Sequence, residues 1–287
     1  MSVPAPIIRV PGIDDVAFVD SHLTLDGRND NANHTMTLTG GTAWTFTETL
    51  TLTSSLTFFT AADVGNEIHI VTPDGGVLRF VIEGFTGGTV VTGKPHQTVP
   101  VGLRGIAQSD WGRAVDQVGG LWHLEGEDVS VYGDGFVVAN PLNSAYTTLT
   151  VTEGIVTLDR AFVQLAVGLP VTADLETLDL DSASGESILD KKKLVSKVSL
   201  HVQASRGLWV GGEPPEDDDA DPLKDLIELK IRNDEGYDDP VLLRTGVVEV
   251  IIKGEWNSNG RVFVRQVDPL PLTVLAIAPA GLIPFRG

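Results

Sequence analysis

The sequence predicts an all-β protein made of several small antiparallel β-barrel or β-sandwich domains, with one or two short helices. Two observations support this fold class. Apolar and polar residues alternate along many short stretches, as they do in half-buried strands. The chain of 287 residues also contains 31 Gly and 16 Pro, which separate these stretches with turns. Hydrophobic residues make up 42% of the chain and charged residues 21%, which is typical of a globular protein.

Residues 1–34 are expected to form an extended N-terminal arm. Three early prolines disfavour helix, and the segment around Asp26 and Gly27 is rich in turn-forming residues. Between them, the run from Val16 to Leu25 resembles a strand that pairs with the body of the protein.

Residues 35–99 are expected to form a small β-barrel-like module. Apolar residues at even positions alternate with threonines at odd positions from 35 to 58, which predicts strands with one buried face. Gly40 and Gly41 predict a tight hairpin turn, because both residues adopt positive φ at low cost. Further strands are predicted over 67–71, 77–83 and 89–91.

Residues 100–170 are expected to form a β domain with one short helix over 109–118. Ser109 suits an N-cap, and a Gly pair at 119–120 suits the end of a helix. The apolar residues between them have helical spacing: Trp111, Ala114, Val115 and Val118. Strands are predicted over 128–132, 136–139, 147–152, 155–158 and 162–167.

Residues 171–287 are expected to form a C-terminal β-sandwich-like domain. Residues 227–231 alternate like a strand, although 222–229 also fits the start of a helix. The stretch from Glu213 to Asp221 contains acidic residues, two prolines and no base, which predicts a loop. The other predicted strands are 194–202, 247–256, 261–267 and 272–278.

The charge of the chain argues against tight binding of nucleic acid. With 39 acidic and 20 basic residues the formal charge is −19. Gripping DNA or RNA requires Lys and Arg to displace phosphate counterions. An acidic wall instead repels a polyanion so that it slides past, although net negative charge also simply keeps a protein in solution.

No motif for catalysis, cofactor binding or a metal site is found in the sequence. There is no Cys, no nucleophile elbow, no phosphate-binding loop and no dinucleotide fingerprint. Acidic residues from Asp217 to Glu228 follow calcium-loop spacing, but Pro222 occupies the position that requires Gly. We therefore expect a protein that is not an enzyme and that has no cofactor, no metal ion and no membrane-spanning segment.

Several ordered stretches resemble the C-terminal part of the tail nozzle (tail tubular B-type) proteins of short-tailed bacteriophages. They cover most of the chain from about residue 16 onward, and residues 48–99 resemble a small β module inserted in that family. The stretches are FVDSHLTLDG (18–27), GLWHLEGEDVSVYGDGFV (120–137), VGLPVTADLETL (167–178), NDEGYDDPVLLRTG (233–246), WNSNGRVFVRQVDP (256–269) and LIPFR (282–286).

The resemblance implies a structural protein of the virion tail that is made in the cytoplasm of the host bacterium. Such proteins form a six-fold homo-oligomeric ring below the portal and its adaptor, carry fibre or tip proteins, and pass DNA without binding it specifically. Nozzle proteins of this type usually have a large N-terminal half before the matching region, so we expect either a split gene or a shortened nozzle.

Acidic residues are expected to face the channel of such a ring or a basic partner, because they would keep passing DNA mobile. They fall in two clusters, one in the 213–221 loop and one at 234–239. The candidates are Glu213, Glu216, Asp217, Asp218, Asp219, Asp221, Asp234, Glu235, Asp238 and Asp239.

Two other function classes are compatible with the sequence. A carbohydrate-binding module for adhesion or fibre attachment predicts Trp and Asp or Asn side chains together on a concave surface. A hydrolase of capsule or peptidoglycan predicts two carboxylates facing each other across a cleft.

Overall fold

A computed structural model describes residues 7–9, 13–181, 187–216, 221–229, 242–254, 256 and 259–282. The fold is all-β, as predicted, with about 50% strand and 5% helix in several antiparallel sheets. Within the described residues the helical pieces are short, and none is long and apolar enough to cross a membrane. They are three-residue 3-10 turns at Ile13–Asp15, Ala61–Asp63, Val101–Leu103 and Trp122–Leu124.

The described residues contain strands throughout their length. The first ten are β1 (Ile7–Arg9), β2 (Val19–Asp26), β3 (Met36–Thr39), β4 (Leu50–Ser54), β5 (Glu67–Val71), β6 (Val77–Gly87), β7 (Val90–Pro95), β8 (Trp111–Gly119), β9 (Asp128–Gly133) and β10 (Phe136–Ala139). The others are β11 (Leu149–Thr150), β12 (Ile155–Phe162), β13 (Gln164–Pro170), β14 (Ala173–Glu176), β15 (Leu194–Ser205), β16 (Leu208–Gly211), β17 (Ile227–Glu228), β18 (Leu243–Ile251), β19 (Phe263–Gln266) and β20 (Val274–Leu282).

The chain divides into two compact units. Unit 1 is formed by the described residues of 1–23, 126–151 and 166–287. Unit 2 is formed by residues 24–125 and 152–165.

Unit 2 contains a seven-stranded antiparallel sheet in the order β12-β8-β5-β6-β7-β4-β3. Gln108, in the segment that leads into β8, pairs with Met36 of the edge strand β3 through two backbone hydrogen bonds of 2.9 Å. This pairing closes the sheet. The strands therefore form a barrel-like roll around one apolar core. This core comprises Met36, Leu38, Leu50, Leu52, Phe59, Ile68, Ile70, Leu78, Phe80, Ile82, Val91, Val99, Leu103 and Trp111.

The tight hairpin turn predicted at Gly40–Gly41 is wrong. Gly40 does adopt a positive φ of 85°, but β3 ends at Thr39 and β4 begins only at Leu50. The side chain of Glu48 organises the intervening loop, because its carboxylate accepts hydrogen bonds from the backbone N–H groups of residues 42, 43 and 44 at 2.7–3.2 Å. A long loop with its own internal bonds replaces the short turn.

The helix predicted over 109–118 is also wrong, because Trp111–Gly119 is strand β8. This strand pairs with β5 through its first half and with β12 through its second half. Ala114 and Val118 share one face of the strand, as alternation requires, but Trp111 on the other face is buried as well. Trp111, Ala114 and Val118 are therefore spaced by three and four positions, which imitates a helical stripe.

Unit 1 contains two four-stranded sheets, ordered β1-β18-β15-β20 and β14-β19-β16-β17. Residues of both sheets enter one apolar core, so the pair forms a β-sandwich. The core includes Val198, Leu200, Val202, Leu208, Val210, Val248, Val250 and Val264. A further sheet has the order β10-β9-β13-β2, with β11 paired to β9.

Parts of the predicted arm and of the ambiguous segment are strands. Ile7–Arg9 pairs with β18, and Val19–Asp26 is β2 in the sheet that contains β13. Ile227–Glu228 pairs with β16, so the strand interpretation of this segment is confirmed for these two residues. Residues 230 and 231 lie outside the described part of the chain.

Candidate functional site

The predicted acidic residues are only partly within the described chain. Glu213, Glu216 and Asp221 are exposed on unit 1. Asp221 also begins the turn before β17, because its Oδ1 accepts a hydrogen bond from the N–H of Leu223 at 3.0 Å. The remaining candidates lie outside the described residues: Asp217, Asp218, Asp219, Asp234, Glu235, Asp238 and Asp239.

The described residues include a concave site, a cleft in unit 2 with a volume of about 600 Å³. Residues 25–31 form one wall, and side chains of β8 form the other. His34 and Phe58 contribute between the walls. This volume falls within the range of about 300–1,000 Å³ that is usual for small-molecule sites.

Backbone hydrogen bonds fix the first wall against β8. The N–H of Gly27 donates to the carbonyl of Val163 at 2.8 Å, and the carbonyl of Gly27 accepts from the N–H of Arg113 at 2.8 Å. A Cβ atom at residue 27 would lie 2.0 Å from the carbonyl oxygen of Arg113, so only Gly permits this approach. The N–H of Asn29 also donates to the carbonyl of Trp111 at 2.9 Å.

The side chain of Asn29 crosslinks the end of this wall. Its Nδ2 donates to the carbonyl of His34 at 2.8 Å and to that of Ser109 at 2.6 Å. Its Oδ1 accepts from the N–H of Asn31 at 3.2 Å, and Oδ1 of Asn31 accepts from Asn33 in the same way at 3.0 Å. These Asx turns hold residues 29–33 in one conformation.

An aromatic cluster forms the base of the cleft. The rings of His34 and Trp111 meet edge to face with centroids 4.7 Å apart, and Phe58 lies 5.0 Å from Trp111 in the same geometry. Trp111 is only 4% exposed, and its Nε1 donates to the carbonyl of His34 at 2.9 Å. Phe58 is half-buried and therefore offers part of its ring to the cleft.

His34 is neutral in this setting, because burial lowers its pKa. Its Nε2 lies 2.7 Å from Oγ of Ser54, and this hydroxyl donates to the carbonyl of Leu56 at 2.6 Å. Since the hydroxyl proton is used there, we assign the imidazole proton to Nε2. Nδ1 is then a hydrogen-bond acceptor.

Each guanidinium of the cleft is paired with a carboxylate. Nε of Arg28 lies 3.0 Å from both oxygens of Asp26, and this interaction with Arg28 lowers the pKa of Asp26. Arg113 donates through Nη2 to Asp63, which is 1% exposed. The guanidinium of Arg113 also lies over Phe58, 5.8 Å from the ring centroid.

A second cluster of titratable residues lies elsewhere in unit 2. Glu67 faces two imidazoles, with Nε2 of His69 at 3.0 Å and Nε2 of His96 at 3.1 Å. Burial alone would raise the pKa of Glu67, but the bonds and charges of the two histidines outweigh it and lower this pKa. Among the described residues, no three His, Asp or Glu side chains are placed to hold a metal ion.

Sequence reasoning did not identify the cleft. The sequence predicts turns over 26–33, but it places the partner residue Trp111 on a helix. The signal that was available is the density of Asp, Asn and Gly directly after a strand, which often marks a binding loop.

Compared with protein-family models and with curated proteins, the chain has no significant match. The resemblance to tail nozzle proteins therefore rests on the motifs quoted above. The longest motif, residues 120–137, covers the turn at Trp122–Leu124 and the hairpin of β9 and β10. Asp134 and Gly135 join these two strands with φ of 46° and 92°, which suits a type I′ turn.

Proposed function

We propose that the protein is a structural component of a phage tail, where copies of it form the nozzle ring through which DNA leaves the virion. The ring is joined to the portal and its adaptor and carries fibre or tip proteins. The protein has no enzymatic role in this proposal and needs no cofactor. The ordered motifs that resemble nozzle proteins support the identity of the assembly.

The observation that carries the proposal is an exposed apolar surface on the sheet β1-β18-β15-β20. Ile251 is 78% exposed and Val247 is 52% exposed, both on β18. Ala276, Ala278 and Ala280 are exposed on β20. We call these five residues the apolar face.

The strand register places these side chains in two rows, on β18 and β20, with β15 between them. Lys197 of β15 pairs with Ile251 on one side and with Ala280 on the other. His201 pairs in the same way with Val247 and Ala276. Polar contacts on this surface include an ion pair of 2.6 Å between Lys197 and Glu249.

Exposed apolar side chains that share one face of a sheet, two of them large here, are a feature of interaction surfaces. In a ring, the same surface of every copy meets a different surface of its neighbour. We therefore assign the apolar face to contacts between copies of this chain.

The charge of the protein suits a channel for DNA. Each copy adds a formal charge of −19, and Glu213, Glu216 and Asp221 are exposed. Carboxylates along the lumen lower the affinity of the wall for phosphate, so the genome moves without adhering.

The experiment that tests this proposal compares two substitutions in the purified full-length chain. Ile251→Lys places a charge on the apolar face, whereas Val77→Lys places one at a site in unit 2 that is 48% exposed. Native mass spectrometry should show ring-sized oligomers for the wild type and for Val77→Lys, and monomers for Ile251→Lys. A wild-type chain that remains monomeric, or an Ile251→Lys chain that still assembles, would contradict the proposal.

A further inference from the structure

We propose that the cleft in unit 2 binds a neutral saccharide. The argument uses only the residues of this cleft, so it does not depend on the assembly of a ring. It assigns a ligand class to the site built by residues 25–31, His34, Phe58 and β8.

The charges of the cleft favour a ligand without net charge. Its lining contains two carboxylates, Asp26 and Asp30, and two guanidiniums, Arg28 and Arg113. An anionic ligand would have to compete with Asp26 for Arg28 and would be repelled by Asp30. Among the described carboxylates at the cleft, a cation would find only Asp30 without a partner, because Asp26 and Asp63 are already engaged by guanidiniums.

The hydrogen-bonding groups that remain are a mixture of donors and acceptors. Within the described part of the chain, the carboxylate of Asp30, Nδ2 of Asn31 and Nη1 of Arg113 have no hydrogen-bond partner. Nδ1 of His34 adds an acceptor. A hydroxyl group both donates and accepts, so a polyol can bond to the donors and to the acceptors of the cleft. A phosphate or carboxylate only accepts, so it can bond to the donors of the cleft alone.

The base of the cleft supplies the apolar half of a sugar site. Saccharide rings have faces of C–H groups that pack on aromatic side chains, and Phe58 offers part of its ring here. The half-buried side chains of Leu25 and Val115 widen this apolar surface.

The backbone of residues 29–33 and the side chain of Arg113 are held in place before any ligand arrives. Asn29 fixes residues 29–33 through two side-chain bonds to carbonyls, at 2.8 and 2.6 Å. Asp63 holds Arg113 by accepting a hydrogen bond from its Nη2. Because little side-chain or loop entropy remains to be lost, even a few hydrogen bonds give measurable affinity.

The test uses the full chain on a printed array of neutral and anionic bacterial oligosaccharides. Saturation-transfer NMR with maltotriose, tri-N-acetylglucosamine and a six-residue oligothymidine accompanies it. We expect binding to neutral glycans. Asp30→Ala and Phe58→Leu should each weaken this binding by about tenfold or more, since each removes a charged acceptor or a packing surface.

The matched control is Trp122→Leu, which changes an aromatic side chain that is 69% exposed and outside the cleft. It should leave glycan binding unchanged. Asp30 is exposed, so Asp30→Ala is expected to keep the fold, and thermal unfolding checks this.

Three results would overturn the inference: no glycan bound on the array or by NMR, stronger binding of anionic glycans or oligothymidine, or neutral-glycan binding that both cleft variants leave intact. The oligomeric state of the same samples reports on the nozzle proposal separately. Either idea can therefore fail while the other stands.

Discussion

The indole Nε1 of Trp111 donates a hydrogen bond to the carbonyl oxygen of His34 at 2.9 Å, across 77 positions of sequence. This bond lies beside the contact between Met36 and Gln108 that closes the roll of unit 2. His34 and Trp111, which lie close in sequence to the closing pair, form the base of the cleft. Changes that weaken the closure are expected to weaken both the fold and the site.

The first prediction concerns the close approach of the cleft wall to β8. Gly27→Ala should destabilise the protein by about 3 kcal/mol or more, because the new methyl group would lie 2.0 Å from a backbone oxygen that cannot move freely. Gly87→Ala is the control, since a Cβ there meets nothing within 4 Å. Urea unfolding measures both variants, and equal losses would refute this account of the wall.

The second prediction concerns the buried carboxylate of Asp63. It accepts from Arg113 and also from the N–H of Thr60 at 2.7 Å. Asp63→Ala leaves both donors without this partner and should lower the free energy of unfolding by about 2–3 kcal/mol. The loss is not larger because Arg113 itself is partly exposed. Asp116→Ala removes an exposed carboxylate of β8 and should change the free energy of unfolding by less than about 0.5 kcal/mol. A similar cost for both would show that the buried pair has no special role.

The third prediction concerns pH and Asp268, which is 3% exposed in unit 1. Burial raises its pKa above the ordinary 3.8, although hydrogen bonds from Asn143 and Asn140 oppose the shift. The folded state thus takes up this proton at a higher pH than the unfolded state. The stability that this group contributes is therefore fully present below the unfolded pKa and is lost as pH rises through the folded pKa.

Asp268→Asn keeps an oxygen for both Asn donors and removes the buried charge. The variant should be at least as stable as the wild type at pH 7. Its advantage should shrink as pH falls through the window between the raised folded pKa and 3.8. Chemical unfolding from pH 4 to 7 measures this difference, and a difference that is constant with pH would rule out the linkage.

The fourth prediction concerns the acidic loop. Replacing Glu213, Glu216 and Asp221 with their amides should slow DNA ejection or loosen tail assembly, because a less acidic wall repels DNA less. Ejection rates from tails carrying the variant measure this effect. The control carries the same change of charge at exposed residues of unit 2: Asp110→Asn, Asp116→Asn and Asp159→Asn. If neither variant changes ejection or assembly, the loop has no such role.

Local patterns predicted the fold class and many strands. The strands over 67–71 and 136–139 have the predicted bounds. Each is a short run rich in apolar residues between clear turn residues, so short-range rules are sufficient. The helix predicted over 109–118 is wrong because residues on both faces of β8 are buried, which gives the apolar residues helical spacing.

The cleft depends on contacts that no local pattern contains. Asn29 bonds to Ser109, 80 positions away, and Gly27 bonds to the more distant Val163. The turn-forming character of residues 26–33 is readable from the sequence, but their partners are set by how the sheet closes. Identifying long-range pairs of this kind requires the tertiary structure.

The measurement that tests the central claim most directly is the copy number and position of this chain in isolated tails, by electron-microscopy classification without imposed symmetry. The nozzle account predicts six copies around an axial channel, with the apolar face between neighbouring copies. Three copies at the periphery of the tail would contradict it and would identify the protein as a fibre or spike component.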